Sequence, residues 1–292
     1  FIFTTMSPFE HLLTVQNVGI ALVTGILGLV VLKRVFSSTA TEAPQSKKTI
    51  VLGKEYQDFE LIEKKELTSG VSNPVTLFRF GLPHHQSLGL PTGQHISLRA
   101  VVDGEEVIRY YTPTTSNRIK GYFDLVVKVY PDGKMSRHLD SLIIGGKIQV
   151  SGPKGIHVYK RNESQYLGLI AGGTGITPCF QVIQEIMNDP QDTTKVALLY
   201  GNLTEDDIII RDLIDEYAQK YPDQFTVFHV LNHPPDDWEH GSGFITKDMM
   251  KQFFAAPEES VKVGMCGPPV MCKVMRSHLK ELGYKKGQVY AY

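Results

Sequence analysis

Tyr166-Leu167-Gly168-Leu169-Ile170-Ala171-Gly172-Gly173-Thr174-Gly175-Ile176-Thr177-Pro178 joins an apolar run of strand length to a cluster of glycines and then to a proline that can open a helix. Glycines let a backbone approach a pyrophosphate closely, and the free N–H groups and dipole at a helix N-terminus attract its charge. Val261-Lys262-Val263-Gly264-Met265-Cys266-Gly267-Pro268-Pro269-Val270-Met271 repeats the strand-then-turn pattern further on. Around these two blocks, strands are predicted at residues 166–171, 196–202, 225–231 and 261–265. They alternate with helices at 178–187, 207–221, 247–254 and 269–282. Such alternation predicts a parallel sheet with helices on both faces and a ligand at the carboxyl ends of the strands. The glycines do not spell G-x-G-x-x-G, so the spacing indicates phosphate without naming the nucleotide.

Working back from this α/β segment, residues 49–160 read as short strands separated by turns, at 59–62, 75–80, 95–99, 107–111, 123–130 and 147–150. Even spacing with glycine turns predicts a small antiparallel barrel. Its most unusual stretch is Arg109-Tyr110-Tyr111-Thr112-Pro113-Thr114-Thr115. Arg can make two parallel hydrogen bonds to a phosphate, Tyr can cover an aromatic ring, and Thr can reach a ring heteroatom. Together they describe a site for a flavin dinucleotide, while an exposed strand edge followed by a Pro turn is the plain alternative for these seven residues alone. Gly133-Lys134-Met135-Ser136 then opens a short helix through Leu142.

The N-terminal 50 residues differ in kind. Residues 12–32 are almost wholly apolar, long enough to span about 30 Å of bilayer core as a helix. Lys33 and Arg34 follow at once, while the short N-terminal side carries Glu10 and no Lys or Arg, which would leave the large C-terminal part in the cytosol. A cleaved signal peptide would need the reverse order of charges. The predicted organisation is therefore an anchor over residues 1–36, a polar tether over 37–49, a barrel domain over 50–160 and an α/β domain over 161–292.

Composition narrows the function. The net charge is -1 across 292 residues, and no basic run resembles a nucleic-acid-binding tail. The three cysteines, Cys179, Cys266 and Cys272, are an odd number without paired spacing, as in a reducing compartment. They are also too few for an iron–sulfur cluster, so electrons leaving a flavin must go to a separate partner. The ten histidines show no ligand spacing, and no metal is expected.

The R-x-Y-T-P clamp at Arg109–Pro113, the turn at 133–136, the loop at 172–178 and the turn at 266–269 occur in the order seen in ferredoxin reductase-like flavoenzymes. Within them the chain most resembles the NADH-cytochrome b5 reductases, in particular the membrane-anchored fungal form. The resemblance implies FAD and NADH as cofactors and a monomer. It places cofactor contacts at Arg109, Tyr111, Thr112, Pro113, Val126, Lys128, Gly133, Lys134, Met135, Ser136, Gly172, Gly173, Thr174, Gly175, Thr177, Pro178, Cys266, Gly267, Pro268 and Met271. Of these, Arg109 and Ser136 would hold the flavin pyrophosphate, Tyr111 would line the ring, and Thr112 would bond its reactive nitrogen. Lys128 would help orient NADH. Cys266 would sit near the nicotinamide, although a small thiol after a strand reads equally well as packing. Tyr292 would close the chain near the flavin ring.

The segment Leu203-Thr204-Glu205-Asp206-Asp207 would lie near the adenosine ribose, where three carboxylates repel the extra phosphate of NADPH. Helix capping by acids is compatible with the same residues. Asn232 replaces an acid common in animal relatives. The implied acceptor is cytochrome b5, an acidic protein that Lys47, Lys48, Lys64, Lys65, Lys160, Arg161, Lys285 and Lys286 could meet. The fungal resemblance adds the small metal-binding electron carrier of diphthamide synthesis, with a link to wobble-uridine modification of tRNA. It also favours the mitochondrial outer membrane over the endoplasmic reticulum. The competing enzyme reading is a reductase for a quinone or ferric chelate, and the non-enzymatic one is a colourless nucleotide-binding scaffold.

Overall fold

Alternating burial builds the first half of the molecule. In β1 (Gln57–Glu66) Phe59 and Leu61 are buried between exposed neighbours, and in β2 (Val75–Gly81) Phe78 and Phe80 point into the same core. There follow β3 (His95–Val102), β4 (Glu105–Tyr111), β5 (Tyr122–Lys128), the helix α1 (Lys134–Ser141) and β6 (Lys147–Lys154). This computed structural model describes residues 51–68 and 73–292, so the anchor expected at 12–32 and the tether at 37–49 lie outside the described residues.

The six strands form one antiparallel sheet in the order β4-β3-β6-β1-β2-β5. Its end strands β4 and β5 do not pair, so the sheet is curled and open where a closed barrel was expected. Pro113 removes an N–H where pairing after β4 would continue. Side chain and turn replace the missing ladder: the Thr114 N–H donates to the Asp124 carbonyl at 3.0 Å, and the Asp124 N–H donates to Thr115 Oγ1 at 2.7 Å. The Asp124 carboxylate in turn accepts both Nε (2.8 Å) and Nη2 (2.9 Å) of Arg79 on β2. The stretch around Arg109 is thus tied to β5 and, through it, to the core.

The second half alternates β7 (Tyr166–Gly172), α2 (Ile176–Met187), β8 (Lys195–Asn202), α3 (Arg211–Lys220), β9 (Phe225–Leu231), β10 (Gly241–Ser242), α4 (Lys247–Phe253), β11 (Val261–Cys266), α5 (Pro269–Glu281) and β12 (Val289–Ala291). All pairings are parallel, in the order β10-β9-β8-β7-β11-β12. Neighbouring leucines go to opposite faces: Leu198 packs in a cluster with Ile183 and Ile214 of α2 and α3, and Leu199 in one with Met250 and Met275 of α4 and α5.

The edge strands β10 and β12 are additions to the predicted pattern. Helix α3 begins at Arg211, later than expected, because residues Glu205–Asp207 form a separate 3-10 turn closed by a Thr204–Asp207 capping box. Helix α2 begins at Ile176, which leaves Pro178 in the first turn, where its missing N–H costs nothing.

Strand order reverses at β7, which has β8 on one side and β11 on the other, so a crevice opens at the carboxyl ends of β7 and β11. The first sheet closes over it. Val75, Leu77 and Val126 pack into the hydrophobic cluster of the second half, and Gln181 on α2 accepts the Gly93 N–H at 2.7 Å. The described residues, 51–68 and 73–292, form one compact unit. Among the described residues no helix is long and apolar enough to cross a membrane.

Candidate active site

Where the two halves meet, a cleft of about 1670 Å3 is lined by Arg109, Tyr111, Thr112, Val126, Lys128, residues 133–136, residues 172–175, Thr177, Pro178, Cys266, Gly267, Pro268 and Met271. Of the residues singled out from the sequence as cofactor contacts, Pro113 is the exception; it is buried and does not line the cleft. The volume exceeds the roughly 300–1,000 Å3 of a site for one drug-sized ligand. Two nucleotides could share it.

One wall is cationic and hydroxylic. Arg109 is exposed at the end of β4, and its guanidinium makes one bond, from Nη1 to the Ile108 carbonyl at 2.8 Å, with no carboxylate partner among the described residues. The α1 N-terminus lines the same cleft, capped by Gly133 with no side-chain hydrogen bond, so its first N–H groups remain for an anion. A Cβ at Gly133 would lie 2.3 Å from Ser136 Oγ, which is why the turn takes glycine.

The Ser136 hydroxyl is already engaged, accepting the Tyr130 N–H at 3.2 Å and donating to the Gly133 carbonyl at 3.1 Å. The hydroxyl locks the turn, and Ser136 lines the cleft with its N–H in the first turn of α1. Lys134 is likewise occupied, by Glu105, while Met135 is buried under the turn. Thr112 is 8% exposed, and among the described residues its hydroxyl has no protein partner. Burial pushes the Tyr111 phenol up to about 12 against the opposing charge of Arg109, which keeps it a neutral donor.

The facing wall is made of two turns in contact. A Cβ at Gly175 would lie 2.2 Å from the Cys266 carbonyl oxygen, and those at Gly172 and Gly267 would strike Met271. Gly175 thus serves the backbone contact between turns, and all three glycines line the cleft. Gly173 differs: its φ is +52°, and nothing lies within 4 Å of its missing Cβ. It is the position at which a ligand can approach the backbone.

Burial, followed by the neighbouring Cys272, raises the Cys266 thiol to about 11, so it is a neutral wall rather than a thiolate. Lys128 and Asp207 form an ion pair across the cleft. Of the three acids after β8 only Asp207 lines the cleft, and Glu205 is neutralised by Arg211. The expected triple repulsion of a further phosphate is narrowed accordingly.

The oxidoreductase FAD-binding domain family matches residues 58–159, and the oxidoreductase NAD-binding domain family matches residues 169–277. NADH-cytochrome b5 reductase 1 of Dictyostelium discoideum is 46% identical over 239 residues, 82% of this chain and 82% of its own length. This chain belongs to the NADH-cytochrome b5 reductase family. The relative of the same description in Mycosarcoma maydis is 42% identical over 271 residues, 92% of this chain and 81% of its own.

Among solved structures, the cytochrome b5 reductase domain of Ulva prolifera nitrate reductase matches with a TM-score of 0.78 and 37% identity, over 83% of this chain and all of that one. A ferredoxin NADP+ reductase from Neisseria gonorrhoeae, 17% identical with a TM-score of 0.67, shares the fold alone. The reductase is thus an oxidoreductase that uses FAD and NADH.

Several lining residues of the reductase escaped the sequence reading. Phe244 and Val270 stand 79% and 76% exposed at the rim, a property of position that composition does not reveal. Asn202 faces the cleft from the end of β8, beside Asn232, which the sequence had already singled out and whose Nδ2 donates to the Gly243 carbonyl at 3.3 Å. Tyr292 lines the cleft, with its N–H donating to the Met265 carbonyl at 3.1 Å. Tyr290, two residues earlier, stacks on His157 at 4.1 Å.

Proposed function

We propose that this reductase carries electrons from NADH, by way of FAD held against the first sheet, to cytochrome b5. The observation that supports this best is the pairing of phosphate-binding features across one cleft: Arg109 and the α1 N-terminus on one wall, Gly173 and the turns before α2 and α5 on the other. FAD, when bound, supplies the capacity to accept a hydride and to release electrons singly. The protein supplies alignment. Arg109 and the first N–H groups of α1 hold the flavin pyrophosphate, and the Thr112 hydroxyl is the free donor for a ring nitrogen. Thr112→Val keeps the shape and removes that donor. It should slow flavin reduction by NADH at least about tenfold at unchanged flavin content, and stopped-flow reduction at the original rate would take Thr112 out of the reaction.

Cytochrome b5 as the acceptor draws support from the relatives' names and from the exposed Lys65, Lys160, Lys285 and Lys286. Lys64 and Arg161 contribute less, being paired with Asp140 at 2.8 Å and Asp189 at 2.6 Å. Steady-state turnover with cytochrome b5 tests the reading: saturation should weaken as salt shortens the reach of surface charge. Salt-independent, non-saturating transfer would favour a quinone or ferric chelate instead. The apolar residues 12–32, followed by Lys33 and Arg34, support a single-pass anchor with the body in the cytosol, and the fungal resemblance supports the mitochondrial outer membrane. On the same resemblance, the electron carrier of diphthamide synthesis is a second acceptor, with a contribution to tRNA wobble-uridine modification.

A further inference from the structure

Lys128 and Asp207 belong to different halves of the molecule. Lys128 ends β5 in the first sheet, Asp207 ends the 3-10 turn after β8, and their side chains are only 9% and 17% exposed. An ammonium so far from water needs a fixed counter-charge. The carboxylate is unusually well fixed. Its Oδ1 takes Lys128, while Oδ2 accepts the Thr204 hydroxyl at 2.8 Å and the Thr204 N–H at 3.2 Å. Burial alone would raise the Asp207 pKa, but the bonds from Lys128 and Thr204 outweigh it and hold the group ionised. Of the two neighbouring acids, Glu205 is taken by Arg211 and Asp206 does not line the cleft. One bond to Asp207 uses one of the three ammonium donors, and both residues line the cleft. The remaining donors are therefore held at a set place on its wall.

We propose that Asp207 is a positioning residue for NADH capture: it fixes the Lys128 ammonium across the cleft so that its free N–H groups meet the phosphate or sugar oxygens of the arriving dinucleotide. This rests on NADH binding in this cleft. Asp207 does not itself touch the nucleotide, and its effect passes through Lys128. A loose lysine would lose rotamer freedom on each binding event, whereas a held one has already lost it.

The test is a double-mutant cycle on the full-length, flavin-loaded enzyme, with NADH varied and ferricyanide saturating. Asp207→Asn should raise the KM for NADH by about tenfold with kcat nearly retained. Thr204→Val, which leaves the charge but removes one support, should raise it less. In a Lys128→Ala background, Asp207→Asn should add nothing, because its whole effect runs through the lysine. General damage to the fold would instead lower kcat and flavin content and would persist in that background.

The proposal is overturned if Asp207→Asn leaves KM unchanged or lowers it, or if the two substitutions multiply. It is also overturned if Lys128→Ala is silent while Asp207→Asn is not, since Asp207 would then touch NADH directly. Failure of the unaltered enzyme to be reduced by NADH would instead sink the assignment of the cleft itself.

Discussion

Arg109→Ala should emerge from purification largely without flavin, with FAD affinity weakened by roughly 10- to 100-fold and the fold hardly affected. The asymmetry follows from where the side chain stands. It is exposed, makes one bond to its own neighbour's carbonyl and has no carboxylate partner among the described residues, so truncation removes almost nothing from the folded chain. Charge-assisted bonds to a phosphate, by contrast, contribute about 1.5–3 kcal/mol. The absorbance of the purified variant and its titration with FAD measure the loss, and thermal unfolding of the flavin-free forms measures the rest. A variant that stays fully yellow at low FAD would show that the α1 N-terminus suffices to hold the pyrophosphate.

Gly175→Ala should be the most damaging single methyl in the second half. The added carbon would sit 2.2 Å from the Cys266 oxygen, 2.5 Å from its carbonyl carbon and 2.8 Å from the Gly267 nitrogen. All three are backbone atoms, so the turns after β7 and β11 must move apart. Overpacking of this kind costs about 1–3 kcal/mol, or a fall of roughly 2–6 °C in Tm at this chain length. Because both displaced turns line the cleft, the KM for NADH should rise as well. Gly173→Ala is the control: the space is open there, and the substitution meets only the cost of its φ of +52°, about 1–2 kcal/mol. Calorimetry that ranked Gly173→Ala as the worse of the two would contradict the turn-to-turn contact.

Much of the architecture was legible because it rests on local periodicity. Apolar runs at 166–171 and 261–265, each ending in glycine or proline, can serve only as buried parallel strands leading into helices, and they do. The alternation around Phe78 and Phe80 is equally local. Closure of the first sheet was not, since it depends on whether β4 and β5 meet in register, and Pro113 with the Thr114 and Thr115 bonds to Asp124 decides that. The glycine-rich loop shows the same division. Its residue types announced a tight turn, but Gly175 answers to Cys266, a neighbour distant in sequence.

The sequence by itself determined the residue types at the cleft, the order of the turns that carry them and the two kinds of sheet, because each is encoded within a few neighbouring positions. Only the tertiary structure decided which of those groups remain available. Lys128 is held by Asp207, 79 residues away, and keeps its other donors on the cleft wall, Ser136 spends its hydroxyl on its own turn, and Arg109 has no carboxylate partner among the described residues. A charged or hydroxyl group finds its partner through space, and that pairing exists only once the two sheets have come together.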